Sequence, residues 1–198
     1  MKIHLEIPRN FYNALRVVSA KNDVRPYLNG ILLDFKKRRW VATDGHRALI
    51  IPMNTEVCAW QLAAKDMPES LIITTTRQKI SGDKCEIYLE KHNEKWTIVV
   101  CNMRNANLLW QEIVKLVEGK FPDIDRVTPK WPKHDPESIP FAAYNPQYVA
   151  DVAKELENVK AARVMPIGDE ASNSALVEFS GISRSELTYI VMPIRWPR

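Results

Sequence analysis

The stretch that decides the fold is VRPYLNG at residues 24–30, and it is followed by VATDGHR at residues 41–47. Between them lies the apolar run ILLDF at residues 31–35 and then a basic turn. Two β-type runs joined by a short polar turn predict a hairpin. The second run stops at Asp44 and Gly45, a pair typical of a turn, because glycine accepts positive φ and aspartate bonds nearby backbone groups. The apolar run that follows would make the third strand of a meander.

Composition favours a folded chain in a reducing compartment. The chain has 198 residues, 45% of them hydrophobic, and a net charge of +4, which permits a nucleic-acid partner without requiring one. The three cysteines, Cys58, Cys85 and Cys101, are widely spaced, which indicates free thiols and no metal-ligand pairing. The first residues alternate and carry an acid, unlike a signal peptide, and no apolar run approaches the ~18 residues of a membrane span. We expect a soluble cytoplasmic protein.

The same pattern recurs along the chain, and we predict an α+β fold built from three β-α-β-β-β units. In the first unit, residues 3–7 alternate as a strand, and residues 8–21 carry apolar side chains at helical spacing. The second unit has good strands, but its helix at residues 77–83 is short and breaks at a glycine. The third unit follows a proline-rich segment, and Asn145 with a first-turn proline opens its helix.

The unit count sets the predicted domains. Two units are expected to close into one domain, with the sheets outside and the helices together, and the third would remain a half-domain. We therefore predict a domain at residues 1–128, a linker at 129–137 and a half-domain at 138–198. A half-domain by itself would expose a sheet edge and an apolar helix face, which monomers rarely tolerate. The sequence thus predicts self-association.

These stretches resemble the bacterial DNA polymerase III beta sliding clamp family. The resemblance also rests on GKFPD at residues 119–123, on Arg126 and Val127, and on YIVMPIR at residues 189–195, all in family order. It implies the DNA clamp, or processivity, fold. The first predicted domain resembles the middle domain of a clamp, and the half-domain resembles the second half of the last one. The resemblance therefore covers about one and a half clamp domains.

The family is not enzymatic, and its members encircle DNA and tether polymerases and repair proteins. Partners insert a short linear peptide into a pocket between the middle and last domains. The resemblance carries this pocket over to Leu28, Thr43, Gly45, His46, Arg47, Pro122, Arg126, Val127, Asn145, Tyr148, Ile190, Met192, Pro193, Ile194 and Arg195. Ala48 stands where the family usually has leucine, which would widen one subsite. Ordinary core positions are the alternative interpretation of the apolar members.

The resemblance further implies that the helices line the hole and face phosphate. The residues expected to contact double-stranded DNA, without sequence preference, are Arg9, Arg16, Lys21, Arg77 and Lys79. Each phosphate contact would steepen the salt dependence of binding. The third-unit helix is acidic, with Asp151, Glu155 and Glu157 against Lys154, and would tend to repel DNA. Solvated helix faces are the alternative interpretation.

Neither catalysis nor a cofactor is expected. His46 lies near Asp44, but no nucleophile, second histidine or phosphate-binding glycine loop accompanies the pair. The dispersed histidines and cysteines form no metal constellation.

The leading hypothesis is therefore a clamp-like processivity factor that encircles DNA and tethers a polymerase or another partner through the pocket. Two half-domains would pair about a two-fold axis, and two such dimers would close a tetrameric ring. The alternative is a clamp mimic that does not encircle DNA, competes for clamp-binding peptides and modulates host replication. A peptide-binding adaptor unrelated to replication is a third hypothesis.

Overall fold

The computed structural model describes residues 2–53, 67–93, 95–130, 142–167 and 173–194. The strands within these residues are β1 (Lys2–Pro8), β2 (Gly30–Asp34), β3 (Arg39–Thr43), β4 (Arg47–Pro52), β5 (Ser70–Thr74), β6 (Lys84–His92), β7 (Lys95–Arg104), β8 (Asn107–Val114), β9 (Ala162–Pro166), β10 (Ala175–Phe179) and β11 (Thr188–Val191). The α-helices are α1 (Arg9–Val18) and α2 (Pro146–Glu155). The β-α-β-β-β order predicted for the first unit is confirmed.

The strands form two antiparallel sheets. One has four strands in the order β1-β6-β7-β8, and the other has seven in the order β5-β2-β3-β4-β11-β10-β9. The seven-stranded sheet joins the first unit to the third, because β4 pairs with β11. Ala48 lies opposite Ile190 in this ladder, and Arg47 lies opposite Val191. The third unit therefore extends the sheet of the first unit.

Helix α1 packs between the sheets because it is apolar on almost its whole inner face. Tyr12, Leu15 and Val18 are fully buried. Burying a side chain of this size contributes roughly 1.5–3 kcal/mol. The helix packed against α1 is α2 of the third unit, where Val152 and Leu156 are buried. The third unit thus has partners in its own chain, whereas the sequence predicts an unpaired half-domain.

The helix predicted at residues 77–83 is absent, and the backbone there is irregular. Side chains distant in sequence form hydrogen bonds with the backbone N–H and C=O groups that a helix would otherwise pair. The Asn13 amide donates to the Ile80 carbonyl at 2.9 Å and accepts from the Ile80 N–H at 3.0 Å. The Gly82 N–H donates to Asn102 Oδ1 at 2.8 Å, and a Cβ on Gly82 would lie 1.9 Å from the Met103 carbonyl oxygen. The predicted pairing of two helices within residues 1–128 is therefore wrong.

The substitution Asn13→Ala tests this replacement of a helix by side-chain bonds. It would leave the N–H and C=O of Ile80 unpaired in the core, and each unpaired buried group costs about 1–3 kcal/mol. We expect the free energy of unfolding in urea to fall by about 2 kcal/mol. The control is Asn107→Ala, because that amide is exposed. Equal stability of the two variants would contradict the assignment.

The strand predicted at residues 139–144 lies largely outside the described residues, and Ala143 forms a single bridge to Ile194. Among the described residues, no helix has the length and apolar character needed to cross a membrane.

Candidate functional site

The turn between β3 and β4 is fixed by its own side chains. Asp44 Oδ1 accepts from the N–H of His46 at 2.9 Å and from the N–H of Arg47 at 3.1 Å. Thr43 Oγ1 accepts from the Gly45 N–H at 3.1 Å and donates to the Arg47 carbonyl at 2.7 Å. Gly45 has φ +92°, a conformation that a Cβ would strain. These bonds hold the turn beside the strand ends, as the sequence predicts.

Arg47 joins this turn to both helices, and its side chain is only 8% exposed. Its Nε donates to Asp44 Oδ2 at 2.9 Å, and its Nη1 donates to Asp151 Oδ2 of α2 at 3.1 Å. Its Nη2 donates to the Val17 carbonyl of α1 at 3.1 Å. The guanidinium also lies 4.7 Å from the centre of the Tyr148 ring. Arg47 therefore holds the junction between the first and third units together.

A cavity of about 230 Å³ opens beside the turn, where β4 and β11 pair. It is smaller than the ~300–1,000 Å³ typical of sites for drug-sized ligands, so it fits one or two side chains of an inserted chain. Its lining residues are Arg25, Leu28, Thr43, Gly45, Arg47, Ala48, Pro122, Asp123, Ile124, Val127, Ile190 and Met192.

Several residues of the predicted pocket meet in this cavity from distant parts of the chain. They are Leu28, Thr43, Gly45, Arg47, Pro122, Val127, Ile190 and Met192. The backbone links the two sides, because the Met192 N–H donates to the His46 carbonyl at 2.8 Å. Ala48 also lines the cavity, at the position where the resemblance places a wider subsite.

Other predicted pocket residues are not among those that line the cavity. The His46 and Tyr148 rings stack with centroids 6.4 Å apart. Asn145 caps α2 and accepts from the Gln147 N–H at 3.0 Å. The rest of this group are Arg126, which is exposed, together with Pro193 and Ile194, which follow β11. Arg195 lies outside the described residues.

The structure adds three lining residues that the sequence reasoning missed. Ile124 is buried in a short 3₁₀ turn, where no periodic pattern marks it. Asp123 precedes it at the cavity wall. Arg25 is held by Asp23 through two hydrogen bonds of 3.0 Å, and it packs against Gly45. In the sequence, Asp23 lies two positions before Arg25, and this spacing could have indicated that the arginine side chain is held by an ion pair.

The cavity wall at residues 122–127 is tied to the hairpin between β2 and β3. Asp125 accepts from Arg39 at 2.6 and 3.1 Å and forms an ion pair with Lys37. The hydrogen bonds from Arg39 and Lys37 lower the pKa of Asp125 from 3.8 to about 2. The basic turn of the hairpin therefore fixes the segment that carries Ile124.

The low pKa of Asp125 predicts an acid-sensitive cavity wall. The attachment is complete above the ordinary pKa of 3.8 and is lost as the pH falls through about 2. We expect Asp125→Asn to detach residues 122–127 at neutral pH and to raise their amide hydrogen exchange. The control is Asp83→Asn, a change of the same kind at a carboxylate that accepts from the Asn105 N–H, outside residues 122–127. Protection that is the same in Asp125→Asn and the wild type would contradict this role.

A wider groove of about 620 Å³ adjoins the cavity and shares Pro122, Asp123 and Ile124 with it. Its other walls carry charges of both signs, among them Lys36, Glu69 and Lys120. A chain inserted in the cavity would therefore have room for polar flanking residues.

Two of the cations assigned to DNA pair with acids of the third unit instead. Arg9 forms an ion pair with Glu157, just beyond α2. Lys79 Nζ lies 2.6 Å from Glu155 Oε2. The acids at the end of α2 therefore offset part of the positive charge that the resemblance assigns to phosphate contact.

The other predicted DNA contacts differ in their surroundings. Arg16 donates to the carbonyls of Thr76 at 2.9 Å and Arg77 at 2.7 Å, so it supports the segment that replaces the second helix. The Arg77 side chain is exposed and lies 4.0 Å from Glu112. Lys21 is exposed beyond the end of α1. Arg77 and Lys21 are the better placed for contact with an outside partner.

A possible ligand cluster also lies on the outer face of the four-stranded sheet. His4, Glu6 and Glu86 bring one ligand atom each within 4.8 Å of one another. However, Lys84 Nζ already lies 3.0 Å from Glu6 and 2.7 Å from Glu86. The ammonium group bridges the two carboxylates and offsets part of their charge, so we interpret the cluster as a salt-bridge network.

The two sheets, the helices between them and the cleft at the sheet junction define an α+β DNA clamp fold. The sliding clamp from Pseudomonas aeruginosa, solved with ligand, aligns with 98% of this chain and 66% of its own, at TM-score 0.59 and 21% identity. The clamp from Bartonella birtlesii, bound to griselimycin, has TM-score 0.62 and 19% identity, and the H. pylori beta clamp with diflunisal has 0.63 and 14%. The match spans about 66% of a clamp chain, roughly two domains' worth.

Sequence comparison identifies the relationship behind this fold. The beta sliding clamp of Pseudomonas aeruginosa is 32% identical over 114 residues, which are 56% of this chain and 29% of that protein. The beta sliding clamp of Escherichia coli K12 is 30% identical over 132 residues, which are 64% and 33%. No family model matches. The chain is homologous to bacterial beta sliding clamps over about a third of their length.

The homologues also bear on the class of function. Sliding clamps are non-enzymatic, in agreement with the prediction from the sequence. The chain spans about a third of the length of the curated relatives it matches. The boundaries predicted at residues 128 and 138 remain predictions.

Proposed function

We propose that the chain is a cytoplasmic, clamp-like processivity factor whose cavity binds a short linear peptide of a DNA polymerase or another partner. The observation that carries this proposal is the convergence of residues 28, 43–48, 122–127 and 190–192 on one cavity. These segments are far apart in sequence, and the resemblance assigns them to a peptide pocket. The ligand-bound sliding clamps among the similar structures add support.

The lining suits apolar anchor side chains. Of the apolar lining residues, Leu28 and Ile190 are buried, whereas Met192 and Val127 are more exposed. Each anchor that a peptide buries contributes roughly 1.5–3 kcal/mol. Two or three anchors, less the cost of ordering the peptide, correspond to about micromolar affinity. Met192 is flexible, so the wall can adapt to several related peptides.

Titration with a clamp-binding peptide tests this function directly. We expect a fluorescently labelled peptide to bind with a Kd of about micromolar order, measured by anisotropy. A control peptide with its apolar anchors changed to aspartate should bind much more weakly. Equal binding of the two peptides, or none, would rule out the cavity as their site.

The second part of the proposal is assembly around double-stranded DNA without sequence specificity. The third units of two copies would pair about a two-fold axis through β9, the edge that β4 and α1 leave open, and two such dimers would close a tetrameric ring. DNA contacts would come from Arg9, Arg16, Lys21, Arg77 and Lys79. Because acids pair with Arg9 and Lys79, we expect a shallower salt dependence than five free cations would give. A ring should remain on closed circular DNA and leave after linearisation, whereas loss from both forms contradicts encirclement.

A clamp mimic that does not encircle DNA is the second candidate, favoured by the acids at the end of α2. Such a protein would use the same cavity to compete for clamp-binding peptides and so modulate host replication. It would displace a full-length sliding clamp from a shared peptide without being retained on circular DNA. Retention on circular DNA would exclude this candidate.

A further inference from the structure

Strand β8 is an apolar edge of the four-stranded sheet. Leu108, Leu109 and Ile113 are 52%, 44% and 71% exposed. Within the described ranges, its neighbour in the sheet is β7 alone. Proteins usually protect such an edge with charges, prolines or a covering segment, because its unpaired N–H and C=O groups are a template for another strand.

The other sheet edges are covered, polar or short within the part of the chain that the structure describes. Strand β5 is covered by residues 115–117, since the Thr74 N–H donates to the Lys115 carbonyl at 2.9 Å and the Val117 N–H donates to the Ile72 carbonyl at 2.8 Å. Strand β1 carries alternating polar residues, and β9 is short and contains Arg163. Strand β8 therefore combines length, apolar character and exposure as no other described edge does.

We propose that β8 pairs antiparallel with β8 of a second copy of this chain, across a two-fold axis. In the ladder with β7, Val114 lies opposite Ile98 and Glu112 lies opposite Val100, and both β7 residues are buried. Residues 112 and 114 therefore point to the core face of the sheet. The outward positions are then 109, 111 and 113. With the two-fold axis at Gln111, Leu109 of each copy lies opposite Ile113 of the other copy. Two pairs of apolar side chains therefore meet across the new ladder.

The charges of β8 agree with self-pairing. Glu112 is turned inward, where it accepts from the Arg77 N–H at 3.0 Å. The two copies therefore bring no outward-facing carboxylates together at the axis, where like charges would be destabilising. The joined edges would make one sheet of eight strands.

The pairing also supplies the closure that the proposed ring needs, and this step rests on the proposed function. Strand β4 is already paired with β11 inside the chain. A dimer formed through the β9 edges of two third units would leave β8 free at both ends. Two such dimers can close only by contact of like edges, which is an isologous contact of β8 with β8.

The substitution Ile113→Lys tests the pairing through the mass of the assembly. Lysine at this position would remove the apolar contact with Leu109 of the second copy and would put a charge on the pairing edge, so we expect the variant to have half the mass of the wild type at micromolar concentration. Native mass spectrometry or sedimentation measures this. The control is Val24→Lys, because Val24 is 95% exposed and far from β8 in sequence, and it should keep the wild-type mass.

The masses separate the two proposals. A tetrameric wild type with a dimeric Ile113→Lys variant supports both the ring and the β8 pair. A dimeric wild type with a monomeric variant supports the β8 pair but contradicts the ring. An Ile113→Lys mass equal to that of the wild type overturns the pair, and a monomeric wild type overturns both. Peptide binding by Ile113→Lys shows that the variant is folded.

Cross-linking gives a second readout that does not depend on that variant. Mild oxidation should join Leu109→Cys to Ile113→Cys in a mixture, because these positions face each other across the axis. Neither variant by itself should form this cross-link, since like positions would be four residues out of register. The absence of a cross-link specific to the mixture would overturn the proposed register and pairing.

Discussion

The substitution Arg47→Met is expected to lower the free energy of unfolding by about 3 kcal/mol, because breaking a buried ion pair from one side typically costs about 3–5 kcal/mol. Methionine keeps much of the volume of the side-chain stem, so the effect isolates the charge and its hydrogen bonds. Loss of the guanidinium leaves Asp44 and Asp151 facing the junction without their cation. It also removes the donor to the Val17 carbonyl.

Urea denaturation measures the stability change, and hydrogen exchange locates it. Amides of β11 and α2 should lose more protection than those of the four-stranded sheet, because Arg47 ties the third unit to the first. The control is Arg126→Met, an exposed arginine whose replacement should change stability by less than about 0.5 kcal/mol. If Arg47→Met were as stable as this control, Arg47 would not hold the junction.

The junction should also respond to acid. Burial raises the pKa of Asp151, but the hydrogen bonds from Gln147 and Arg47 outweigh burial, and the net shift is downward. Its contribution to stability is therefore present above the ordinary pKa of 3.8 and is lost as the pH falls through the lower folded value. This loss should be weaker in Arg47→Met, which lacks the main cationic partner of Asp151.

Local patterns in the sequence were sufficient to predict the first strand and the turn after β3. Alternation predicts β1, and the Asp44 and Gly45 pair predicts the end of β3, because turn chemistry depends only on neighbouring residues. The resemblance brought residues 28, 122 and 192 to one site, since no local pattern relates positions so far apart. The cavity contains all three.

The features that escaped prediction depend on distant contacts. The segment at residues 77–83 has no helix because Asn13 and Asn102 satisfy its backbone, and neither side chain is close to it in sequence. Arg9 was expected to contact DNA phosphate, yet its side chain forms an ion pair with Glu157. Composition and periodicity carry no information on such partners, so the helix partner of α1 and the ion pairs of Arg9 and Lys79 were both missed.

The substitution Met192→Asp is expected to weaken binding of a clamp-binding peptide by about 100-fold, which corresponds to about 2.7 kcal/mol. This prediction rests on the proposed peptide function. Met192 lines the cavity and is partly buried. The change removes the apolar contact of Met192 with a peptide anchor side chain, whose burial contributes roughly 1.5–3 kcal/mol to binding. It also places a carboxylate where the bound peptide would desolvate it. Anisotropy titration of the labelled peptide measures the loss.

The fold should survive this change, because Met192 holds the His46 carbonyl through its backbone N–H, which aspartate retains. Met192→Leu is the matched control: it conserves volume and apolar character, so we expect its affinity to stay within about threefold of the wild type. An unfolding midpoint close to that of the wild type would exclude misfolding as the cause of weak binding. Should Met192→Asp bind the peptide as tightly as Met192→Leu does, the peptide site must lie elsewhere on the molecule.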